Sequence, residues 1–534
     1  MRRWNGWGDE AETAHVGASA RRFLERRLGP PAAPRDATID AVVARVPQSR
    51  LDPVGGLLDT DPELRVRRAR GQSFPDLVAL RSGRLEAVPD AVAHPTTNAD
   101  VRRLIEHARS VGARLIPYGG GTSVVGGVTA RPSADPLITV DLSALNELTN
   151  LDERSGLVTV GAGMTGPALA EHLEPHGLTI GHEPQSFELA TVGGWVAARG
   201  SGLRSFGSGR IEGLFAGGTL EAPAGTMTMS PFPASAAGPD LRQLVLGSEG
   251  RLGFLTDTVL RTSPLPEVDR LRAYALPGWA AGHEAVRALA QARTRLSVLR
   301  LSTPVERQTL LGFADKPDQV RLLKAYLQGR GVPRDWSLLL VGVAGSRRAA
   351  AAASREARAI LGAFGGVAVP ALAGTWAKTR FRSPYLRTSL WELGYGSDTL
   401  ETATTWANVP RLLARLQGAV SLALSDQGER VHVFTHLSHL YPTGSSLYLT
   451  YLFRLAPEPD ETIARWTAIK RSASAVIEAE GATITHHHGV GVDHAPYLAA
   501  EKGPLGMAAL EAIVRTFDPD GLMNPGVLLS DRHG

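Results

Sequence analysis

The chain has 534 residues, 43% of them hydrophobic and 21% charged, with a formal net charge of +4 and no cysteine. These values sit near globular averages, so they exclude a disordered or fibrous protein and predict two or more domains with a large core. The small net charge gives no electrostatic case for nucleic acid, and the lack of thiols excludes disulfides, cysteine nucleophiles and iron–sulfur ligation.

Residues 1 to about 90 read as a helical, Arg- and Ala-rich region broken by Gly29-Pro30-Pro31 and Pro34. Its first twelve residues are polar and aromatic, without the apolar centre of a signal peptide. Arg65, Arg67, Arg68 and Arg70 are expected to form a solvated face. From 91 the texture changes. A helix is predicted through Val101, Leu104, Ile105 and Ala108, followed by a strand Arg114–Pro117 and, to about 265, by short β-branched runs such as Leu137–Val140 and Leu157–Val160. Between 266 and 450, helical stretches such as His283–Ala292 alternate with strands such as Leu338–Val343, and this reads as a second domain. The stretch 451–534 holds a helix near 461–480, three consecutive histidines and an Asp518-Pro519-Asp520-Gly521-Leu522-Met523-Asn524-Pro525-Gly526 ending. No window reaches the apolar length of a membrane-spanning helix.

Pro117-Tyr118-Gly119-Gly120-Gly121-Thr122-Ser123 follows the predicted strand. Three glycines let successive N–H groups turn toward one point, a nest for an anion, and Thr122 and Ser123 add hydroxyl donors. The Walker lysine is absent. Val124-Val125-Gly126-Gly127 is expected to continue as loop and strand, which disfavours a dinucleotide fingerprint opening a helix. Two more glycine-rich, hydroxyl-bearing segments lie in the same stretch, Thr191-Val192-Gly193-Gly194-Trp195 and Gly247-Ser248-Glu249-Gly250-Arg251-Leu252-Gly253. Three such segments point to one extended ligand.

The order PYGGGTS, TVGGW, GSEGRLG and DPDGLMNPG resembles the FAD-binding domain of the para-cresol methylhydroxylase and vanillyl-alcohol-oxidase flavoproteins. The resemblance implies an α+β fold: an FAD-binding domain of two subdomains (91–265), an antiparallel-sheet cap (266–450), a helical N-terminal region (1–90) and a C-terminal segment (451–534) that closes the site. It also implies FAD held by Pro117, Tyr118, Gly119, Gly120, Gly121, Thr122, Ser123, Gln185, Ser186, Thr191, Gly193, Gly194, Arg199, Ser201, Glu249, Gly250, Leu252, Gly253 and Leu255. Thr122 stands where covalently linked members carry a histidine, which implies non-covalent FAD. Gln185 and Ala198 depart from the usual aspartate and threonine, changes that FAD binding is expected to survive.

Arg3-Trp4-Asn5-Gly6-Trp7-Gly8, Gly181-His182-Glu183-Pro184, Tyr385-Leu386-Arg387, Glu401-Thr402-Ala403 with Trp406, Tyr441 near Gly444, and His486-His487-His488-Gly489 are together similar to the alkyldihydroxyacetonephosphate synthase branch. That branch exchanges the acyl group of acyl-dihydroxyacetone phosphate for a long-chain alcohol, with the substrate carbon captured at flavin N5. The resemblance assigns Arg387 to the substrate phosphate, where the competing reading is an ion pair with Glu392 or Asp398. It assigns Arg300 to substrate binding, where a structural role competes equally. Tyr441 matches the proton-transferring tyrosine, against a plain turn residue. His486, His487 and His488 match a proton-handling triplet, against a metal site built with His432, His436 and His439; no metal is expected.

Pro442-Thr443 and Val492-Asp493-His494 depart from the animal enzymes and leave substrate identity open. Two alternatives stand beside this branch: an FAD-dependent 2-hydroxyacid dehydrogenase or oxidase, although its HxGDGNxH motif is missing, and a flavin-binding protein without catalysis. A long apolar substrate calls for a tunnel, for which Leu338-Leu339-Leu340-Val341 are candidates by composition. Family precedent implies a homodimer with peripheral membrane contact. The ending Asp531-Arg532-His533-Gly534 is not a peroxisomal signal, and a cytoplasmic location is expected.

Overall fold

The computed structural model describes residues 2–314 and 316–530; the terminal tetrapeptide just mentioned lies outside them. A small sheet takes shape first along the chain, in the order Leu58–Asp59, Ala91–Ala93, Leu137–Asp141, Arg114–Tyr118. Its last two pairings are parallel, which requires a crossover. The helix Asn98–Val111 supplies it. Thr97 and Asp100 form a reciprocal capping box at its start, Gly112 ends it at φ +65°, and Val101, Leu104, Ile105 and Ala108 make one buried stripe.

A second, five-stranded antiparallel sheet follows, ordered Leu148–Asp152, Leu157–Gly161, Phe254–Arg261, Phe215–Ala222, Gly225–Met229. The glycine-rich TVGGW segment is a short helix, Val192–Ala197, started by Thr191, whose hydroxyl accepts the Gly194 N–H at 3.3 Å. The expected strand after Val124 is absent among the described residues: the chain stays irregular until Leu137.

The third sheet has seven strands, all antiparallel, in the order Val367–Ala368, Val268–Leu276, Ser337–Gly345, Val298–Ser302, His432–Leu440, Gly444–Arg454, Tyr395–Thr405. Period-two alternation divides its faces. Leu437, Leu447, Leu449, Tyr451 and Phe453 point into a core shared with the helices Gly278–Gln291, Arg347–Ala363, Val409–Leu422 and Pro459–Ala479. Phe434, His436, Ser438, Tyr448, Thr450 and Leu452 point the other way, into a cavity.

Two expectations fail here. Leu338, Leu339, Leu340 and Val341 line no tunnel: they are buried in the two apolar clusters on either side of this sheet, where consecutive residues of a central strand fill both layers. The arginines at 65–70 do not form a solvated face. Arg65 is 2% exposed and donates to the Pro89 and Pro47 carbonyls at 2.6 and 3.0 Å, Arg68 pairs with buried Asp141 at 2.6 Å, and Arg70 is buried against the Ala130 carbonyl. Arg68 ties the N-terminal region to the strand Leu137–Asp141, and Arg65 and Arg70 tie it to the loops at Pro47, Pro89 and Ala130. That region also leans on the cap, through Leu24 and Leu28 against Leu390 and Leu452 and through Phe74 in the main cap core.

The C-terminal tail returns to the start of the site. Leu115 and Asn524 exchange backbone hydrogen bonds with the segment 522–524 and Leu115 respectively, at 2.8 and 2.7 Å.

Candidate active site

The loop after Arg114–Tyr118 bends at Gly121, φ +61°. Among the described residues, the backbone N–H groups from Gly120 to Val124 donate to no protein acceptor. Five successive unpaired donors at a cavity wall are a ready site for an anion. The loop lies directly on the second glycine segment: a Cβ on Gly120 would sit 1.9 Å from the Leu189 carbonyl oxygen, and one on Gly119 would sit 2.4 Å from the Thr191 hydroxyl. Gly250, φ +78°, packs the third segment on Pro117.

The three segments therefore wall one cavity of about 580 Å³. Every candidate cofactor residue lines it except Arg199 and Leu252. Arg199 turns outward to Gln243 at 3.0 Å, and Leu252 is buried in the subdomain core. His182, in the same wall, is 2% exposed, and neither ring nitrogen has a hydrogen-bond partner among the described residues. Burial pushes its pKa down to about 3, so it is neutral and offers one donor and one acceptor to a ligand.

The histidine loop sits opposite. Glu401, from the strand Tyr395–Thr405, is buried and accepts the backbone N–H groups of His486, His487 and His488 at 2.6, 3.0 and 3.0 Å and the Thr485 hydroxyl at 2.8 Å. Burial alone would raise this carboxyl, yet the imidazoles of His487, His488 and His486 hold it well below the usual range. One anion thus organises the whole triplet. Glu401, His486 and His487 bring ligand atoms within 4.8 Å of one another, but the carboxylate oxygens are already engaged by the loop. His432, His436 and His439 do not converge. On a strand their spacing sends them to different surroundings, His432 to Thr309 at 2.8 Å and His436 to Glu306 at 2.9 Å.

His439 occupies a bulge between Ser438 and Leu440, φ +51°, that turns its ring toward the Ser201 and Ser205 hydroxyls at 3.0 and 2.7 Å. Tyr441 follows it, and its hydroxyl lies 2.6 Å from His486 Nε2. Burial raises the phenol, while the Arg210 guanidinium opposes that rise. His487 and His488 line the cavity; Tyr441 and His486 are not among its described lining residues, and stand two and one hydrogen bonds behind His487. His486 Nδ1 and His487 Nδ1 are 3.0 Å apart, which connects the two layers.

Arg387 and Arg300 both line the cavity. Arg387 donates to the Ser397 carbonyl at 3.0 Å, to the Gln72 carbonyl and to Asp398 at 3.4 Å. Asp398 is the pairing partner that the competing reading named; Asp398 is itself fixed by Tyr451 and Trp466 at 3.1 and 2.7 Å. Arg300 binds buried Glu306 at 2.8 Å beside His436. Burial would raise Glu306, but Arg300 and His436 bring it down to about 2.

From these polar groups the cavity runs on between Phe313, Leu386, Leu390, Phe434 and Leu452 to Leu310, which is 41% exposed. Glu401, His182 and Trp406 stood inside motifs that the sequence flagged, without roles, and His439 entered only as a metal-site candidate; Arg210 and Glu306 carried no signal, and Arg210 meets His486 across 276 residues.

Comparisons with known proteins agree with this architecture. An FAD binding domain model matches residues 89–229, and a model for the C-terminal domain of FAD linked oxidases matches 265–528. The chain is 28% identical over 481 residues to an alkyldihydroxyacetonephosphate synthase of Trypanosoma brucei brucei, covering 88% of this chain and 78% of that protein. Among solved structures, an alkyldihydroxyacetonephosphate synthase superposes with a TM-score of 0.83 at 23% identity over 98% of both chains. Para-cresol methylhydroxylase with substrate bound superposes at 0.66, with 15% identity over 97% of this chain and 98% of that one. The unpaired N–H nest, the partnerless His182 and the three stacked glycine segments fit a flavin dinucleotide, and the chain is an FAD-binding protein with the fold of para-cresol methylhydroxylase.

Proposed function

We propose that the protein is an alkylglycerone-phosphate synthase that replaces the acyl group of an acyl-dihydroxyacetone phosphate with a long-chain alcohol. The observation that carries this reading is the composition of one cavity, whose lining combines an anion nest, the cations Arg300 and Arg387, His487 and His488 at the end of a proton relay, and a set of apolar side chains. The alkyldihydroxyacetonephosphate synthase named among the relatives supports it.

FAD, once bound, supplies a ring that takes up and returns an electron pair at the reacting carbon. The chain does the rest. Gly120 to Val124, Ser186 and Thr191 hold the dinucleotide, and Thr122 forms no link to it, so acid should release intact FAD from the protein. Arg387 receives the substrate phosphate with donors beyond the three it gives to the protein, and Arg300, fixed by Glu306, flanks it. Tyr441 exchanges the substrate proton through His486 with His487 at the cavity surface. The channel toward Leu310 takes the alkyl chain and keeps water from the reacting carbon.

Leu310, Leu322 and Tyr326 are exposed on two successive helices, Pro304–Phe313 and Pro317–Gly329, that share one apolar cluster; we place peripheral membrane contact there. No helix among the described residues is long and apolar enough to cross a membrane. Co-sedimentation with anionic liposomes tests this contact, and light scattering tests the expected homodimer.

The deciding experiment is anaerobic. The yellow protein is mixed with palmitoyl-dihydroxyacetone phosphate and hexadecanol, and separately with D-lactate and D-2-hydroxyglutarate. Alkyl-dihydroxyacetone phosphate formed without lasting loss of flavin colour supports the synthase; bleaching by a hydroxyacid overturns it in favour of a dehydrogenase.

A further inference from the structure

Arg210 has no place in the motifs read from the sequence, yet it touches both members of the hidden layer. Its Nη1 donates to His486 Nε2 at 2.7 Å and to the Tyr441 hydroxyl at 3.2 Å. Its Nη2 donates to the His486 and Arg199 carbonyls at 3.0 and 3.1 Å, and its Nε is held by Glu212. The side chain is 15% exposed and braced from three sides.

A guanidinium carries only donors. Its contact with His486 Nε2 therefore requires that nitrogen to be bare, and the ring proton must sit on Nδ1. Two assignments follow in order. With Nε2 bare, the 2.6 Å contact to Tyr441 has the phenol as donor. With Nδ1 protonated, the 3.0 Å contact to His487 has His487 Nδ1 as acceptor, so His487 carries its proton on Nε2.

We propose that Arg210 is a positioning residue that locks His486 in the Nδ1–H tautomer and thereby gives the Tyr441–His486–His487 chain one direction, with the phenol lending its proton toward the cavity. This rests on the reading of Tyr441 as the proton-exchanging group. In the shift, the Tyr441 O–H bond breaks as His486 Nε2–H forms, and His486 Nδ1–H breaks as His487 Nδ1–H forms. No electrons leave the chain. As His486 Nε2 takes the proton, Arg210 Nη1 gives up its bond to that nitrogen and keeps the one to the resulting phenolate, and the resulting His487 imidazolium lies 3.4 Å from Glu401. Each new charge meets an opposite one already in place.

The test is nitrogen NMR on FAD-loaded protein labelled at histidine, with the His486 signals assigned by their loss in His486→Asn. In the wild type, the expected result is a neutral His486 ring with its proton on Nδ1; a proton on Nε2, or an imidazolium at neutral pH, overturns the proposal, and Arg210 itself need not be changed for this reading. Arg210→Met is expected to shift the ring toward Nε2–H and to lower kcat about tenfold or more, while KM moves less than about threefold. Arg210→Lys, which keeps a charged donor, is expected to retain the Nδ1–H form. An unchanged tautomer in Arg210→Met overturns the proposal. Because the tautomer is read without substrate, an Nδ1–H ring in a protein that makes no ether product supports this inference and counts against the substrate reading alone.

Discussion

Glu401 divides one negative charge among three successive backbone N–H groups and a hydroxyl, so the geometry of the triplet depends on a residue that makes no contact with the cavity. Glu401→Gln replaces acceptors with an amide donor at a site with no use for one. Thermal unfolding should show a loss of about 3 kcal/mol, together with weaker activity. Tyr441→Phe keeps the ring and removes the proton, so stability should change little while kcat falls about a hundredfold or more; turnover against flavin content separates the two. Glu249 offers a pH signature. Burial lifts its carboxyl to about 7 against the opposing Val490 and Gly491 N–H groups. A carboxyl raised on folding binds more protons in the native state than in the unfolded one, so its contribution to stability falls as pH climbs from the ordinary carboxylate range to about 7. Melting curves at pH 5.5 and 8 should show the wild type losing more stability over that interval than Glu249→Gln, and equal losses would sink the assignment. Tyr441 and the histidines were legible in the sequence because each sits in a short motif. Arg210 and Glu401 were not legible as parts of the relay, since they meet His486 across 276 and 85 residues, a pairing that only the closed fold creates.

Elements whose causes are local were also read from the sequence. The helix Asn98–Val111 carries its cap, its apolar stripe and its terminating glycine within its own residues, and the strand Arg114–Tyr118 was predicted one residue short. The cap sheet was harder. Alternation marks which residues share a face, but which face meets a ligand depends on the helices that cover the other, and so composition alone offers an apolar run such as Leu338–Val341 as a channel candidate when it fills the core on both sides of its sheet. The channel residues come instead from the faces of several helices and strands. Leu452→Trp, on the cavity face of Gly444–Arg454, should shift the preferred alcohol to shorter chains, measured by competition among alcohols of graded length, without loss of bound FAD. In the cradle, Gly120→Ala forces a methyl group against the Leu189 carbonyl 1.9 Å away. The expected product is a folded, colourless protein, detected by flavin absorbance per chain.

At the scale of the molecule, the tail binds parts that were made long before it. The Asn524 side chain donates to the carbonyls of Gly127 and Glu249 at 3.0 and 2.7 Å, Leu115 pairs with the same segment, and Leu528 donates to the Gly491 carbonyl at 3.0 Å. Asn524→Ala should cost about 2 to 3 kcal/mol and weaken FAD retention, seen as faster flavin loss on dialysis. These contacts also set an order of events during synthesis. Cap strands can pair while the ribosome is still working, but the first and third glycine segments are not clamped together until the codons for residues 522–528 have been read. Flavin capture then waits for residues 522–528, and a chain cut before Leu522 would carry a well-structured cap on a protein that never turns yellow.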